Sequence, residues 1–153
     1  MQVIILNILF MIQNNQPKYR SNCPISSALD IIGDKWSLLI IRDMMFANKK
    51  TYSDFSKSSE GIATNILSSR LLMLEQLGLI NKGKIEGNKK TNIYSLTKKG
   101  QELLPIILEI AQWSDNNLNE HLKDGAKPFV NKFKSNREIF VQNMYALFDK
   151  REC

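Results

Sequence analysis

The amino-acid sequence predicts a mainly α-helical fold with one small β-hairpin. From residue 24 onward, apolar residues recur every three or four positions over several long segments, the period of helices with one buried face. Within residues 79–96 this pattern gives way to two short runs joined through Gly87 and Asn88, a residue pair typical of hairpin turns.

Length and composition fit one small folded domain with appendages. The chain has 153 residues, 43% of them hydrophobic, which is enough to bury a core and excludes a wholly disordered chain. The two cysteines, Cys23 and Cys153, lie far apart, and no Cys/His pair has metal-ligand spacing. We therefore expect no disulfide framework, no metal and no cofactor, and a reducing, cytoplasmic location.

Residues 1–20 are predicted to form an N-terminal arm. Residues 3–12 are apolar, but a membrane span needs about 20 such residues, so no membrane partner is expected. No basic segment precedes them and no cleavage site follows, so they do not resemble a signal peptide. Either they pack on a dimer as an extra element, or the natural start is Met11.

Four helices are predicted before the hairpin. Pro24 opens the first, which runs to Ile32, and the second spans residues 35–46. The second helix is apolar on most sides, so we expect it at the centre, with Trp36 buried between the first helix and a long terminal helix. A short helix at 51–58 and a strongly periodic helix at 64–77 follow.

After the hairpin, a helix of about residues 98–121, bent by Pro105, and helical segments within 129–149 complete the chain. A short helix, a tight turn, a periodic helix and a basic hairpin are the parts of a winged helix-turn-helix domain. The expected division is an arm (1–20), a winged helix-turn-helix DNA-binding domain (21–100), a dimerisation helix (101–121) and a helical C-terminal extension (122–153).

The periodic helix at 64–77 has the pattern of a recognition helix. Leu67, Leu71 and Leu74 line the face that would anchor it, and small polar residues cluster in its first two turns, where they could reach base edges. An arginine in the next turn could reach back to a phosphate. The residues expected to contact DNA from this helix are Thr64, Asn65, Ser68, Ser69 and Arg70.

The hairpin region concentrates the positive charge of the chain. Residues 79–100 contain six lysines and one glutamate, which is five of the six net positive charges. A solvated lysine face would explain the charge alone, but an exposed ribbon beside a recognition helix favours a wing that lies along the DNA backbone or minor groove. The candidate wing residues are Lys82, Lys84, Asn88, Lys89, Lys90 and Asn92.

Three segments together carry a family resemblance. They are Cys23 to Met44 with its Gly-x-Lys-Trp element, the leucine-rich run from Gly61 to Ile80, and Tyr-x-Leu-Thr-x2-Gly from Tyr94 to Gly100. In this order they resemble HxlR-type regulators over about residues 21–118. The resemblance implies bacterial, homodimeric, DNA-binding transcription regulators related to the MarR type. The wing lacks the prolines expected in that family.

A homodimer is predicted because the long terminal helix has more apolar positions than its own domain can cover. A monomer would expose a large apolar patch, which soluble monomers rarely do. A two-fold dimer would place two recognition helices about 34 Å apart, as on a pseudo-palindromic operator. The expected interface residues are Ile107, Ile110, Trp113, Ser114 and Leu118, to which Phe140, Met144 and Phe148 could add.

Cys23 is a candidate redox sensor. It precedes Pro24 at a helix N-terminus, which favours a thiolate, and Lys18 and Arg20 are close in sequence. In the family that the chain resembles, a cysteine at this place senses oxidants or electrophiles in some members and has no redox role in others. A small residue that merely caps or packs is the other interpretation, and the effector, redox or small-molecule, stays open.

An enzyme is not expected. His121 is the single histidine, no phosphate-binding loop or nucleophile motif is present, and Asp30, Asp34 and Asp43 are spaced like ordinary acids on helix surfaces. The alternative to a DNA-binding regulator is a winged-helix protein-interaction module without specific DNA binding.

Overall fold

The computed structural model of the chain describes residues 19–85, 87–118, 120, 122 and 127–151. The expectations for residues 3–12, Met11, Lys18, His121 and Cys153 lie outside these residues. The elements are α1 (Pro24–Ile32), α2 (Lys35–Phe46), α3 (Tyr52–Ser56), α4 (Thr64–Gln76), β1 (Ile80–Ile85), β2 (Asn88–Leu96), α5 (Lys98–Gln101), α6 (Leu104–Asn117), α7 (Lys127–Ser135) and α8 (Arg137–Arg151).

The first four helices lie where the sequence predicts them. The carboxylate of Asp34 caps α2 by accepting hydrogen bonds from the backbone N–H groups of Trp36 and Ser37, both at 3.1 Å. Helix α4 ends before Gly78, whose φ of +67° is the left-handed conformation that glycine adopts at helix C-termini. Local sequence signals therefore set the boundaries of both helices.

The hairpin is antiparallel and rises from a buried base. Ile80 lies opposite Leu96 and Lys84 opposite Asn92, and the register shifts between Lys84 and Ile85 near the tip. Midway along the hairpin, Thr51 forms a β-bridge with Ile93 that joins the hairpin to the start of α3. With α3 and α4 beside it, this hairpin completes a winged helix-turn-helix fold, which confirms the predicted fold class.

Gly100 explains why the Tyr-x-Leu-Thr-x2-Gly segment ends in glycine. A Cβ atom at this position would lie 2.1 Å from the backbone oxygen of Leu79, so no larger residue fits without moving the backbone. Thr97 caps α5 by accepting a hydrogen bond from the Gly100 N–H. The segment thus fixes how α5 leaves the hairpin.

The core lies between α2, α4, the hairpin base and α6. The predicted anchor face of α4 is confirmed, because Leu67, Leu71 and Leu74 are all buried. The residues that are buried with them include Ile41, Met45, Phe55, Ile80, Leu104 and Leu108. Helix α4 is therefore held firmly on one side while its other side faces solvent.

The single bent helix predicted for residues 98–121 is wrong. Helix α5 ends at Gln101, and α6 begins at Leu104 with Pro105 in its first turn. Proline has no N–H to donate and its fixed φ suits a first turn, so Pro105 starts a helix here instead of bending one.

The C-terminal helices fold back onto the domain. The ring of Phe129 lies edge-on to that of Phe46, with centroids 4.9 Å apart, and Phe133 is fully buried. The guanidinium of Arg151 donates to the backbone oxygens of Met44 and Met45, at the C-terminal end of α2, at 3.2 and 2.8 Å. The extension thus contributes core residues and satisfies carbonyls that a helix end leaves without partners.

The predicted burial of Trp36 is also wrong. Its side chain is half-buried and lines a small cavity with Phe55 of α3, Ser58 and Glu60. It therefore faces residues of the helix-turn-helix and is only partly covered. Within the part of the chain that the structure describes, no helix is both long enough and apolar enough to span a bilayer.

Candidate DNA-binding surface

Four of the five predicted recognition residues lie together on the exposed side of α4. Thr64 and Asn65 occupy its first turn, Ser68 and Ser69 the second, and all four are exposed. Ala63 is the N-cap and makes no side-chain capping bond, so the first N–H groups of α4 are not capped by a side chain. This end of the helix presents hydrogen-bonding groups and a positive dipole end to an external anion.

Tyr52 fixes the start of α4 relative to α3. Its hydroxyl donates to the backbone oxygen of Thr64 at 3.0 Å, and Ser68 Oγ lies 3.4 Å away. In the sequence, Tyr52 and Phe55 lie three positions apart within the predicted short helix. The spacing of Tyr52 and Phe55 shows which face is buried but not that the phenol reaches another helix.

Arg70 is engaged with a residue of its own chain in this structure. Its Nε donates to Asp34 Oδ1 at 2.9 Å, and the side chain is half-buried. The guanidinium is therefore engaged at the N-cap of α2, so Asp34 is not the ordinary surface acid expected, whereas the phosphate contact of Arg70 stays a prediction.

The wing is basic and exposed along its stem. Lys82, Lys84 and Lys90 are exposed, and Lys84 Nζ donates across the hairpin to Asn92 Oδ1 at 2.5 Å. Asn88 belongs to β2, as does Lys89, but the side chains of these two residues lie outside the described part. The hairpin thus places several of the predicted lysines at the surface beside α4.

A cluster of polar side chains surrounds the buried carboxylate of Asp43. Asp43 Oδ1 accepts from Arg42 Nε and Nη2 at 2.9 and 2.6 Å, and Oδ2 accepts from Lys49 Nζ at 2.8 Å and Ser58 Oγ at 2.5 Å. Burial raises the pKa of Asp43, but the hydrogen bonds from Lys49, Ser58 and Arg42 outweigh it and hold the pKa below its ordinary value. Asp43 is therefore a charged, fully bonded, buried acid and not the surface residue predicted.

Glu60 extends this cluster into the turn of the helix-turn-helix. Arg42 Nη1 donates to Glu60 Oε1 at 2.6 Å, and this bond lowers the pKa of Glu60 to about 2. Arg42 thus contacts both the buried Asp43 and the turn between α3 and α4. No spacing rule in the sequence indicates this cluster.

The predicted dimer residues divide into two groups. Ile110, Trp113 and Leu118 are 47%, 59% and 46% exposed, and Ser114 is half-buried. Ile107 is only 8% exposed because it faces the core of its own chain, so its assignment to the interface is wrong. Phe148, at 3% exposure, is wrong for the same reason.

Other exposed apolar side chains are not predicted by the sequence. Ile106 lies on α6 beside the predicted group, and Ile25 and Leu29 are exposed on α1, at 72% and 53%. Their helical spacing is the same as that of core residues. Periodicity shows that a helix has an apolar face but not which partner covers it.

Cys23 lies at the N-terminus of α1 as predicted. It is the N-cap residue, it is exposed, and its side chain makes no capping bond. Arg20, expected to influence the thiol, instead pairs with Asp30. Its backbone N–H donates to one carboxylate oxygen of Asp30 at 2.9 Å and its side chain binds the other oxygen, and these contacts lower the pKa of Asp30.

Among the described residues, no three His, Cys, Asp or Glu side chains are grouped to hold a metal ion.

Comparison with known families agrees with this fold. The model of the HxlR-like helix-turn-helix family matches residues 31–122. The chain belongs to the HxlR-like family. An HTH-type transcriptional regulator of Mycobacterium tuberculosis is 33% identical over 94 residues, which cover 61% of this chain and 58% of that protein. The chain therefore matches less than two thirds of the length of this relative.

Two further relatives are matched over more of their own length. The HTH-type transcriptional regulator YybR of Bacillus subtilis is 30% identical over 98 residues, 64% of this chain and 78% of YybR. The structure of the redox regulator HypR in its oxidised form superimposes with a TM-score of 0.55 and 30% identity, over 62% of this chain and 97% of HypR. The family match confirms the predicted resemblance to HxlR-type proteins, and the relatives of M. tuberculosis and B. subtilis are HTH-type transcriptional regulators. Helices α7 and α8 lie beyond the matched residues.

Proposed function

We propose that this HxlR-like chain is a cytoplasmic homodimer that binds a pseudo-palindromic DNA operator in a sequence-specific manner. One observation supports this most strongly: Thr64, Asn65, Ser68 and Ser69 lie exposed together at the N-terminal half of α4, beside a basic hairpin. Small polar side chains at this end of a helix suit the edges of bases in the major groove.

The two parts of the surface have different roles. Helix α4 reads base edges because its polar side chains are short and its leucine face is fixed in the core. The lysines of the wing bind phosphates, which adds affinity on any sequence and makes binding sensitive to salt.

Dimerisation follows from the apolar side chains that α6 leaves exposed. Ile110 and Trp113 are one helical turn apart, and Ile106 precedes Ile110 by one turn, so the three form a stripe along α6. A second copy of the chain, related by a two-fold axis, would cover this stripe and space two α4 helices by about one turn of DNA.

Substitutions in the two parts of the surface should have separable effects. Asn65→Ala should change the preferred sequence and cost roughly 1–3 kcal/mol at one base pair, because the alanine cannot hydrogen-bond a base edge. Lys90→Ala should weaken binding to every duplex and lower the salt slope by about one, because one fewer phosphate is neutralised. Selection of bound sequences from a random duplex pool, followed by titrations at several salt concentrations, measures both effects.

Lys132→Ala, an exposed lysine on α7, is the matched control and should change neither quantity. A reversal, in which Lys90→Ala alters sequence preference and Asn65→Ala does not, would contradict the assigned roles. A wild-type protein without affinity for any duplex would indicate a protein-interaction module instead.

We also propose that Cys23 is the site at which oxidants or electrophiles regulate this chain. It is exposed at the N-terminus of α1, where an oxidant can reach it, and HypR, a redox regulator, shares the fold. Modification there would disturb α1, whose exposed Ile25 and Leu29 suit the dimer interface, and so change the angle between the two winged domains.

Treatment with a mild peroxide or a quinone should therefore reduce operator binding of the wild type and of Cys153→Ser, but not of Cys23→Ser. Duplex binding is measured before and after treatment, with circular dichroism to show that the protein stays folded. Equal responses of wild type and Cys23→Ser would rule out a sensing role for this thiol.

A further inference from the structure

Asp43 connects three separate segments of the chain through one carboxylate. It belongs to α2, Lys49 to the loop that follows α2, and Ser58 to the turn that follows α3. Lys49 Nζ also donates to Ser58 Oγ at 2.7 Å, which closes a triangle of three side chains. The backbone oxygen of Asp43 accepts from the N–H groups of Ala47 and Lys49, at 3.0 and 3.2 Å.

The position of Asp43 is electrostatically unfavourable by itself. The residue is only 6% exposed, and it lies in the last turn of α2, where the negative end of the helix dipole opposes another negative charge. The site holds a carboxylate only because Arg42, Lys49 and Ser58 compensate it. An apolar residue would pack in the same place without partners, so the acid is needed for what it binds.

What the cluster binds is the turn that leads into α4. Ser58 is joined to Asp43, and its backbone oxygen accepts from the Gly61 N–H at 3.0 Å. Glu60, in the same turn, is joined to Arg42. The turn between Ser56 and Thr64 is thus attached at two points to α2, the central helix of the core.

We propose that Asp43 is a positioning residue for DNA recognition: through Ser58 and Lys49 it fixes the turn from which α4 starts, and thereby the angle at which Asn65 and Ser68 meet the base edges. This inference rests on the proposed function of α4. It assigns to a buried acid that belongs neither to α4 nor to the wing a control over specificity that the wing lysines do not share.

The test compares operator binding with binding to random duplex. In Asp43→Asn the amide cannot compensate Arg42 and Lys49 and turns a donor toward one of them, so the turn is released. The ratio of operator affinity to random-duplex affinity should fall by about tenfold or more, while random-duplex affinity changes by less than about twofold. Ser58→Ala, which leaves the ion pairs intact, should lower the same ratio by a smaller factor.

A merely structural role would give a different result. Destabilisation reduces the folded fraction, and this lowers both affinities in equal proportion, so the ratio would stay constant. Asp115→Asn is the matched control, because Asp115 also accepts from a lysine, Lys134 Nζ at 2.6 Å, but lies on α6. This variant should leave the ratio unchanged.

Amide hydrogen exchange without DNA separates this inference from the proposed function. In Asp43→Asn and Ser58→Ala, amides of residues 58–66 should exchange faster than in the wild type, whereas those of α6 should not. The role of Asp43 is overturned if Ser58→Ala changes neither the amide exchange of residues 58–66 nor the ratio of operator affinity to random-duplex affinity. This result decides the question even where Asp43→Asn fails to fold. A different result would contradict the proposed function itself. If amides exchange faster in these variants but the wild type binds no duplex, Asp43 still holds the turn, but it has no role in DNA recognition.

Discussion

Phe133→Ala should lower the free energy of unfolding by about 3–5 kcal/mol, the range for truncating a buried aromatic residue. The side chain is fully buried, and its ring centroid lies 6.2 Å from that of Phe129 and 6.1 Å from that of Phe140. The substitution would remove this packing and leave a cavity. Urea unfolding followed by circular dichroism measures the change.

Ile139→Ala is the control for this prediction. Ile139 lies in the same C-terminal region but is 53% exposed, so its truncation should change the free energy of unfolding by no more than about 0.5 kcal/mol. Equal losses of stability for Phe133→Ala and Ile139→Ala would contradict the packing of α7. A first unfolding step confined to the variant's C-terminal helices would show that they fold apart from the winged domain.

Phe133 lies beyond residue 122, where the family match ends, although it is part of the core. Phe129 packs on Phe46 of α2, and Arg151 binds carbonyls at the end of that same helix. Truncation after residue 122 would expose this side of α2. In this chain α7 and α8 therefore support the helix that also carries Asp43.

Elements with local signals were predictable from the sequence. The period of Leu67, Leu71 and Leu74 and the glycine after them define α4 and its buried face, because helix geometry and the left-handed C-terminal residue depend on neighbours in the chain. The exposure of Asn65 follows from the same pattern. The Gly87-Asn88 pair likewise indicates the hairpin.

Contacts between distant residues were not predictable in this way. Arg70 pairs with Asp34 across 36 positions, and Asp43 meets Ser58 across 15. A charged residue on an amphipathic helix shows the same local pattern whether it faces solvent, DNA or another segment of the chain. The predictions for Ile107 and Phe148 are wrong for the related reason that an apolar face does not identify what covers it.

Helix α6 presents the surface on which the dimer prediction depends. Ile106, Ile110 and Trp113 are 41%, 47% and 59% exposed, whereas Leu104, Ile107 and Leu108 of the same helix are buried in the core. An exposed apolar stripe of this kind supports the proposed association with a second copy. In a two-fold interface each substitution occurs twice, so its effect is doubled.

Trp113→Asp should therefore convert the proposed dimer to a monomer at micromolar concentration. We expect the dissociation constant of the dimer to rise by roughly 100-fold or more, because two aromatic side chains are removed from the interface and two charges face an apolar partner. Sedimentation velocity over a concentration series measures the change. Ile139→Asp, which places the same charge at a similarly exposed apolar position on α8, should leave the dimer intact.

Operator affinity of Trp113→Asp should fall to that of a single half-site, since one winged domain then binds alone. A wild-type chain that is monomeric at these concentrations, or a Trp113→Asp variant that stays dimeric, would show that α6 is not the interface.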